Sequence, residues 1–348
     1  MVNILIDTHH IIYNVSLSDG FLDKESVDLV VTSPPYPMVA MWDECFKGQN
    51  SLIQKYLDIE EYNIAWMEMH RVLNNIWREI VYCVKPGGFV CINIGDATRR
   101  MGNIFQLYPN HSVIIDYFIK NNFQVLPCII WRKPTNSPTK FMGSGMYPNG
   151  AYVTLEHEYI LVFRKNGIRT YTDEEKEMRK KSAYFYNERN IWFSDMWNVL
   201  GVSQKGVAGS RERSGAYPLE IPYRLINMYS MQGDVVVDPF AGLGTTMLAG
   251  ILSGRHSLNF EIDSELCNYM CSRVLTYTNW DGYNNDRLRV QKENVESAKN
   301  KGKKMYFNEK MCIEVRTKQE CGIVLPFVLE TFKKQESNAK IEVISRYR

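Results

Sequence analysis

The chain has 348 residues, 45% of them hydrophobic, and 41 basic against 39 acidic side chains give a formal charge of +2 and a pI near 8.0. That length and apolar content bury a full core and allow one large α/β domain with insertions or two smaller domains, while so balanced a charge confines any polyanion-binding surface to a local patch. No apolar run approaches the roughly 18 residues of a membrane span, and the amino end "MVNILIDTHH" lacks signal-peptide flanks, so a cytoplasmic protein with no membrane partner is expected.

In chain order, strand-like runs fall at "NILI" (3–6), "VDLVVT" (27–32), "FVCINI" (89–94), "QVLPCIIW" (124–131), "EYILVF" (158–163), "DVVVD" (234–238) and "HSLNFE" (256–261), seven in all. Helical patterns separate most of them, such as "EEYNIAWMEMHRVLNNIWREIVYCV" before Lys85-Pro86-Gly87-Gly88 and "PYRLINMYS" before Gly233. Strands joined by crossover helices pair in parallel, which makes the class α/β and doubly wound. The rhythm breaks between about Asn166 and Gly215, where "RTYTDEEKEMRKKSAYFYNERNIWFSDMW" is charged and aromatic at once, and this stretch reads as an insertion on the sheet. Beyond about Thr276 come a basic run, "KNKGKK" (299–304), and β-like pieces such as "CIEVR" and "KIEVISRYR". The eight cysteines are scattered, and Cys267 and Cys271 have helical spacing with no partner histidines, so reduced thiols and no metal site are expected.

Two motifs carry chemistry. In "VTSPPYP" (31–37) consecutive prolines follow a strand directly. One reading is a plain surface turn, since proline fixes φ and donates no hydrogen bond. The other is a rigid extended segment whose carbonyls stay out of any ladder and, with the hydroxyl of Ser33 and the ring of Tyr36, hold a planar, amino-bearing ligand. The second motif, "VVVDPFAGLGTT", ends a strand at Asp238, turns through Gly242 and Gly244 and starts a helix near Thr245, which lets backbone and helix N–H groups approach a ligand closely. Glu261 closes the next strand, where an acid bonds ribose hydroxyls in nucleoside-cofactor folds. A dinucleotide needs a third glycine at 247, but Met247 stands there, whereas S-adenosylmethionine has no pyrophosphate and needs only the turn, the acid and a pocket for its methionine end. The chain beyond Glu261 shows no regular βα succession, so the other strands of its sheet come from upstream and the sheet is circularly permuted.

With "TSPPY" first and "FAGLGTT" last, and with "VKPGGFVCINIGD", "IIWRKPTNSP", "LEHEYILVFRK", "DMWNV" and "AYPLEIPYRLI" between them, roughly residues 1–275 resemble the beta group of amino-directed DNA methyltransferases of restriction-modification systems. The resemblance implies a Rossmann-like, seven-stranded, permuted methyltransferase sheet. It is divided into a catalytic half at 1–165, a target-recognition insertion at 166–215, an S-adenosylmethionine-binding half at 216–275 and an extension at 276–348 that is a second candidate for contacting DNA. It implies further that a base of double-stranded DNA flips into the proline turn. There Ser33 and the Pro34 carbonyl accept hydrogen bonds from the exocyclic amine, and Tyr36, after Pro35, stacks on the ring. Cofactor contacts are implied for Asp238, Phe240, Gly242, Gly244, Thr245 and Glu261.

In this family Ser at the first position of the turn accompanies cytosine-N4 methylation and an acid accompanies adenine-N6, so cytosine N4 is the expected target and adenine N6 the alternative. The Pro127-Cys128 pair, a nucleophile in carbon-5 cytosine enzymes, lies inside an apolar strand and in the wrong motif order for that chemistry. Arg213-Ser214 stands where many members have His-Pro, which leaves the contacts to the cofactor's methionine end unassigned. The resemblance implies a cognate endonuclease as a functional, not physical, partner, and the chain is expected as monomer or homodimer. Within the insertion Arg179, Lys180, Lys181 and Arg189 interleave with Tyr184, Phe185, Tyr186 and Trp192, a pattern expected to meet phosphates and base edges.

Overall fold

The computed structural model describes residues 7–17, 20–101, 104–133, 142–143, 147–201, 217–337 and 339–347. Ten strands join one mixed sheet: β1 (Asp7–Tyr13), β2 (Val27–Thr32), β3 (Val84–Ile94), β4 (Phe123–Arg132), β5 (His157–Lys165), β6 (Met196–Trp197), β7 (Val235–Asp238), β8 (His256–Phe260), β9 (Val328–Ser337) and β10 (Lys340–Tyr347). Across the sheet they lie in the order β6-β4-β5-β3-β2-β7-β8-β1-β10-β9. The five strands β3, β2, β7, β8 and β1 are mutually parallel. β5 runs against both β3 and β4. Strands from the two ends of the chain therefore interleave at the centre, where β7 sits between β2 and β8.

All six residues of β2 are buried, as a central strand covered on both faces requires. On one face Val30, Val90, Ile92 and Val237 pack under the helix Tyr62–Cys83. That helix turns Ala65, Met69, Leu73, Ile76, Trp77, Ile80 and Cys83 inward, the three-to-four spacing of an amphipathic helix. On the other face Leu29, Val31, Val162 and Val236 lie under Ile221, Leu225, Leu248 and Leu252 of the helices Glu220–Tyr229 and Thr245–Ser253. Cys267 and Cys271 are buried in a third apolar cluster with Ile12 and Met270, and Cys128 packs half-buried within β4.

Six of the seven expected strands are in place, and the sheet is wider than expected. The run 3–6 lies outside the described residues; the amino-terminal strand is "DTHHIIY", whose buried positions include Thr8 and His10, so polarity hides its alternation. β6 comes from within the expected insertion and pairs with β4, while β9 and β10 come from the C-terminal extension. Their apolar side chains Val328, Ile341, Val343 and Tyr347 pack with Ile12 and Ile251, so the last two strands are structural parts of the sheet. Among the described residues no helix is long and apolar enough to cross a membrane.

Candidate active site

Because β1, β2, β3, β4, β7 and β8 share a direction and β5 opposes it, one rim of the sheet gathers the carboxyl ends of the six and the start of β5. Both sequence motifs fall on this rim, and Asp238 joins them. Its Oδ1 accepts from Thr32 Oγ1 at 2.6 Å and from the backbone N–H of Phe240 at 3.1 Å, and its Oδ2 accepts from Thr246 Oγ1 at 2.6 Å. Thr32 ends β2 just before the proline turn, and Thr246 lies in the first turn of the helix after the glycine loop, so one buried carboxylate ties the two loops together. Burial pushes the Asp238 carboxyl up to about 6, against the pull of its three hydrogen bonds. At this same point the described chain resumes after residue 216, with Tyr217 bonding the Thr246 hydroxyl.

The glycine loop is fixed on one side and open on the other. Gly244 (φ 74°) stands so close to the helix Ser264–Leu275 that a Cβ there collides with the Met270 side chain. A Cβ on Gly242 (φ 52°) meets nothing nearer than the Phe240 carbonyl at 3.9 Å, so the outer face of the turn is free. Glu261 stands at its lip: Oε2 accepts from Gly242 N at 2.9 Å and Oε1 from Asp263 N at 3.0 Å. The following helix begins at Thr245 with no side-chain cap, which leaves its first-turn N–H groups to a ligand or water. Arg273, which belongs to no sequence motif, braces the loop by donating to the Leu243 carbonyl at 2.9 Å and to Thr245 Oγ1 at 3.3 Å. The Phe240 ring sits edge-on to Trp77 at 5.8 Å. An open glycine turn with an acid at its lip fits the ribose of S-adenosylmethionine.

The proline turn is held by its tyrosine. Tyr36 donates from its hydroxyl to Glu158 Oε2 at 2.9 Å and accepts from Asn93 Nδ2 at 2.7 Å, with Ser33 Oγ at 3.1 Å. Burial, then the neighbouring Glu158 charge, raises the Tyr36 phenol well above its ordinary value, so it stays a donor. Asn93 Nδ2 also reaches Glu158 Oε2 at 2.7 Å, and Lys133 pairs with the other carboxylate oxygen. With its Nδ2 drawn to a carboxylate, Asn93 leaves Oδ1 buried without a hydrogen-bond partner among the described residues, an arrangement that costs about 1–3 kcal/mol. The Tyr36 ring is pressed on Gly95, where a Cβ comes within 2.9 Å of Cε2. Below the turn, buried Asn110 donates to the carbonyls of Pro37 and Gly95, each at 3.0 Å, and clamps the two loops. Pro34 is buried, and Ser33, Pro35 and Tyr36 are half-buried. Asn93, Lys133 and Glu158 stand in "VKPGGFVCINIGD", "IIWRKPTNSP" and "LEHEYILVFRK" without being singled out there, and Asn110 stands in no quoted motif.

The DNA methylase family N6_N4_Mtase matches residues 27–272, most of the chain. The chain belongs to this family. It is 48% identical over 343 residues to the Type II methyltransferase M.MthZI of Methanothermobacter thermautotrophicus, covering 95% of this chain and 93% of that protein. It is 45% identical over 282 residues to M.MjaI of Methanocaldococcus jannaschii, covering 76% and 91%. Among solved structures, a proposed DNA modification methylase of Thermus thermophilus in complex with S-adenosyl-L-methionine superposes with a TM-score of 0.57 at 28% identity, over 75% of this chain and 92% of that one. The α/β sheet is thus the DNA methylase fold, and S-adenosylmethionine is the cofactor.

In this methylase the described part of the charged and aromatic insertion begins at the opposite rim of the sheet. Arg169 grips Asp234, just before β7, with both guanidinium nitrogens at 2.8 and 3.0 Å, and reaches Asp28 at the start of β2 at 3.2 Å. Glu175, in the helix Asp173–Lys181, completes the cluster at 3.0 Å from Arg169. This helix therefore sits at the amino ends of the strands, about 15–20 Å of β-strand away from the proline turn. Phe185 is fully buried with Val315, Ile323 and Leu325, and Trp192 packs by the buried Glu188–Arg287 pair, so these aromatics seal the segment to the C-terminal extension. Lys180 pairs with Glu177, and the Lys181 carbonyl accepts from Val324 N. A cleft of about 1590 Å³ opens at this far rim, its lining rich in such paired charges. The chain then returns, for β6 pairs with Ile130–Trp131 at the carboxyl end of β4 and the Val199 carbonyl accepts from Trp131 Nε1. Arg213 and Ser214 lie outside the described residues.

Proposed function

We propose that this methylase transfers the methyl group of S-adenosylmethionine to the N4 amine of a cytosine flipped out of double-stranded DNA, in the permuted beta-group arrangement, at a specific site and alongside a cognate endonuclease. The observation that carries the reading is the Thr32–Asp238–Thr246 bridge, which fixes the proline turn and the glycine loop side by side on one rim. Bound at Gly242 and Glu261, with Phe240 and Thr245 beside it, S-adenosylmethionine supplies an electrophilic methyl on a cationic sulfur. Ser33 Oγ and the Pro34 carbonyl accept the two amine hydrogens, so the nitrogen lone pair is drawn out of conjugation and aimed at that methyl. The N–C bond forms as the C–S bond breaks, the electron pair stays on sulfur, and the amine releases a proton to solvent. No covalent enzyme intermediate is needed, because positioning does the work.

The Tyr36 ring stacks on the base, and stacking of about 1–3 kcal/mol per base offsets much of the cost of flipping. Ser33 at the head of the turn favours cytosine; adenine N6 is the second reading, since its amine meets the same acceptors. Methylation of genomic DNA by the purified chain, followed by sequencing and nucleoside mass spectrometry, tests both. N4-methylcytosine in one sequence context is expected, N6-methyladenine alone reverses the choice of base, and no methylated product rejects the function.

A further inference from the structure

We propose that Glu158, with Asn93 and Lys133, is the positioning element of the target-base pocket: it holds Tyr36 by the hydroxyl, so the ring is a fixed stacking platform before any base arrives. The proposal rests on the function proposed above and assigns work to three residues which that function does not use. Each Glu158 oxygen has its own task. Oε1 takes the Lys133 ammonium, and Oε2 takes both the Tyr36 hydroxyl at 2.9 Å and the Asn93 amide at 2.7 Å.

The Asn93 amide also donates to the Tyr36 oxygen at 2.7 Å, which closes a triangle about the hydroxyl. Two of its three sides involve a carboxylate, and such charge-assisted bonds are about twice as strong as neutral ones. A tyrosine used only for its ring needs no such anchor, because Gly95 already packs tightly against the ring. The triangle also keeps Asn93 Oδ1 buried and unpartnered among the described residues, and a fold that only needed a filled pocket has no reason to retain that cost. Lys133 leaves β4 on the methyl-transfer rim and lies over the Trp131 ring at 4.5 Å, so its ammonium has a defined seat from which to hold Glu158. Preorganisation of this kind spares the bound complex the ordering of a side chain, and it shows in turnover more than in cofactor affinity.

The test is a double-mutant cycle with Tyr36→Phe, Glu158→Gln and the pair, on a duplex carrying the methylation site found by sequencing. Tyr36→Phe removes the hydrogen bond, and Glu158→Gln, which keeps an acceptor oxygen, strips it of its charge, so each is expected to lower kcat about tenfold, the double variant no further than Tyr36→Phe, and the Kd for S-adenosylmethionine to stay put. A duplex with 2-aminopurine at the target position should show a less ordered fluorophore in the bound state of each variant than in the wild type.

Wild-type kcat and fluorescence in Tyr36→Phe overturn the proposal, as do losses that multiply to about a hundredfold in the double variant. If Glu158→Gln does not fold, Tyr36→Phe decides alone by the same two readouts. A wild-type chain that methylates no DNA removes the proposed function and this assignment with it, whereas a methylating chain with a silent Tyr36→Phe removes the assignment only.

Discussion

The two rims of the sheet hold buried carboxylates by opposite means. At the amino-end rim Asp28 and Asp234 are met by cations, Lys85 at 2.7 Å and Arg169 at 2.8–3.2 Å. At the carboxyl-end rim Asp238 is met only by two hydroxyls and one backbone N–H among the described residues. The first arrangement neutralises charge and welds the insertion to the sheet. The second leaves the charge of Asp238 without an ion pair beside the loop proposed to receive a sulfonium cation, although Lys133 pairs with Glu158 on the same rim, and this suits Asp238 to a cationic ligand. A carboxylate shielded by ion pairs has little field left to offer a ligand.

Breaking the ion-paired rim should have the largest effect. Arg169→Ala strips the main cation from two buried carboxylates, and removing one partner of a buried pair costs about 3–5 kcal/mol. The loss should fall near the lower bound, since Lys85 still serves Asp28 and Arg169 is itself 22% exposed. Urea unfolding should report that loss while the cofactor Kd of the folded variant is unchanged. A stable variant with weakened cofactor binding would reverse the roles assigned to the two rims.

The carboxylate without an ion pair should announce itself through pH. Asp238 rises from an ordinary 3.8 to about 6, so the folded state binds this proton more tightly than the unfolded one. Between those two values folding takes up a proton, and the contribution of Asp238 to stability is greatest below pH 4 and declines as pH rises to 6. At about 1.4 kcal/mol for each tenfold change in proton affinity, the decline is roughly 3 kcal/mol. The difference in unfolding free energy between wild type and Asp238→Asn should fall over that interval; a difference that stays flat, or rises, means that Asp238 is ionised at no cost.

A smaller and more local effect is expected at Glu261. Its carboxylate is anchored by two backbone N–H groups at the lip of the glycine turn. Glu261→Ala should weaken S-adenosylmethionine by at least about tenfold, the value of a charge-assisted hydrogen bond or two, and shift the melting temperature of the free protein little. Calorimetry with unchanged affinity would show that the ribose is held elsewhere.

How much of this was legible in the sequence depends on the range of the interactions. The proline turn and glycine loop are local motifs, and both stand where adjacent parallel strands end. Asn93, Lys133 and Glu158 were not legible as a set, since they come from three strands and meet only once β3, β4 and β5 pair. β10 was legible as the β-like piece "KIEVISRYR" but not as part of the sheet, because its partner β1 shows polar Thr8 and His10 on the buried side; β9 pairs with β10 alone and escaped with it. The packing of the insertion was not legible because composition does not say which end of a strand a segment packs against. Its aromatics, Phe185 and Trp192, belong to an apolar seam with Val315, Ile323 and Tyr223, contacts that lie far along the chain.

The smallest effect sharpens the comparison most. Lys180 and Lys181 lie in the last turn of the helix Asp173–Lys181, on the ion-paired rim, with Lys180 bound to Glu177 and a Cβ on Gly322 only 3.0 Å from Lys180 Cβ. A duplex that feeds a base into the proline turn must lie across the opposite rim, beyond a Debye length of about 8–10 Å from these ammonium groups at ordinary salt. A phosphate contact contributes close to one unit of slope in the logarithm of affinity against the logarithm of salt. Neutralising both lysines by Lys180→Ala and Lys181→Ala should therefore leave DNA affinity and its salt slope at wild-type values. A slope reduced by one to two would mean that DNA wraps around the edge of the sheet to the far rim, and the division of labour between the two rims would have to be redrawn.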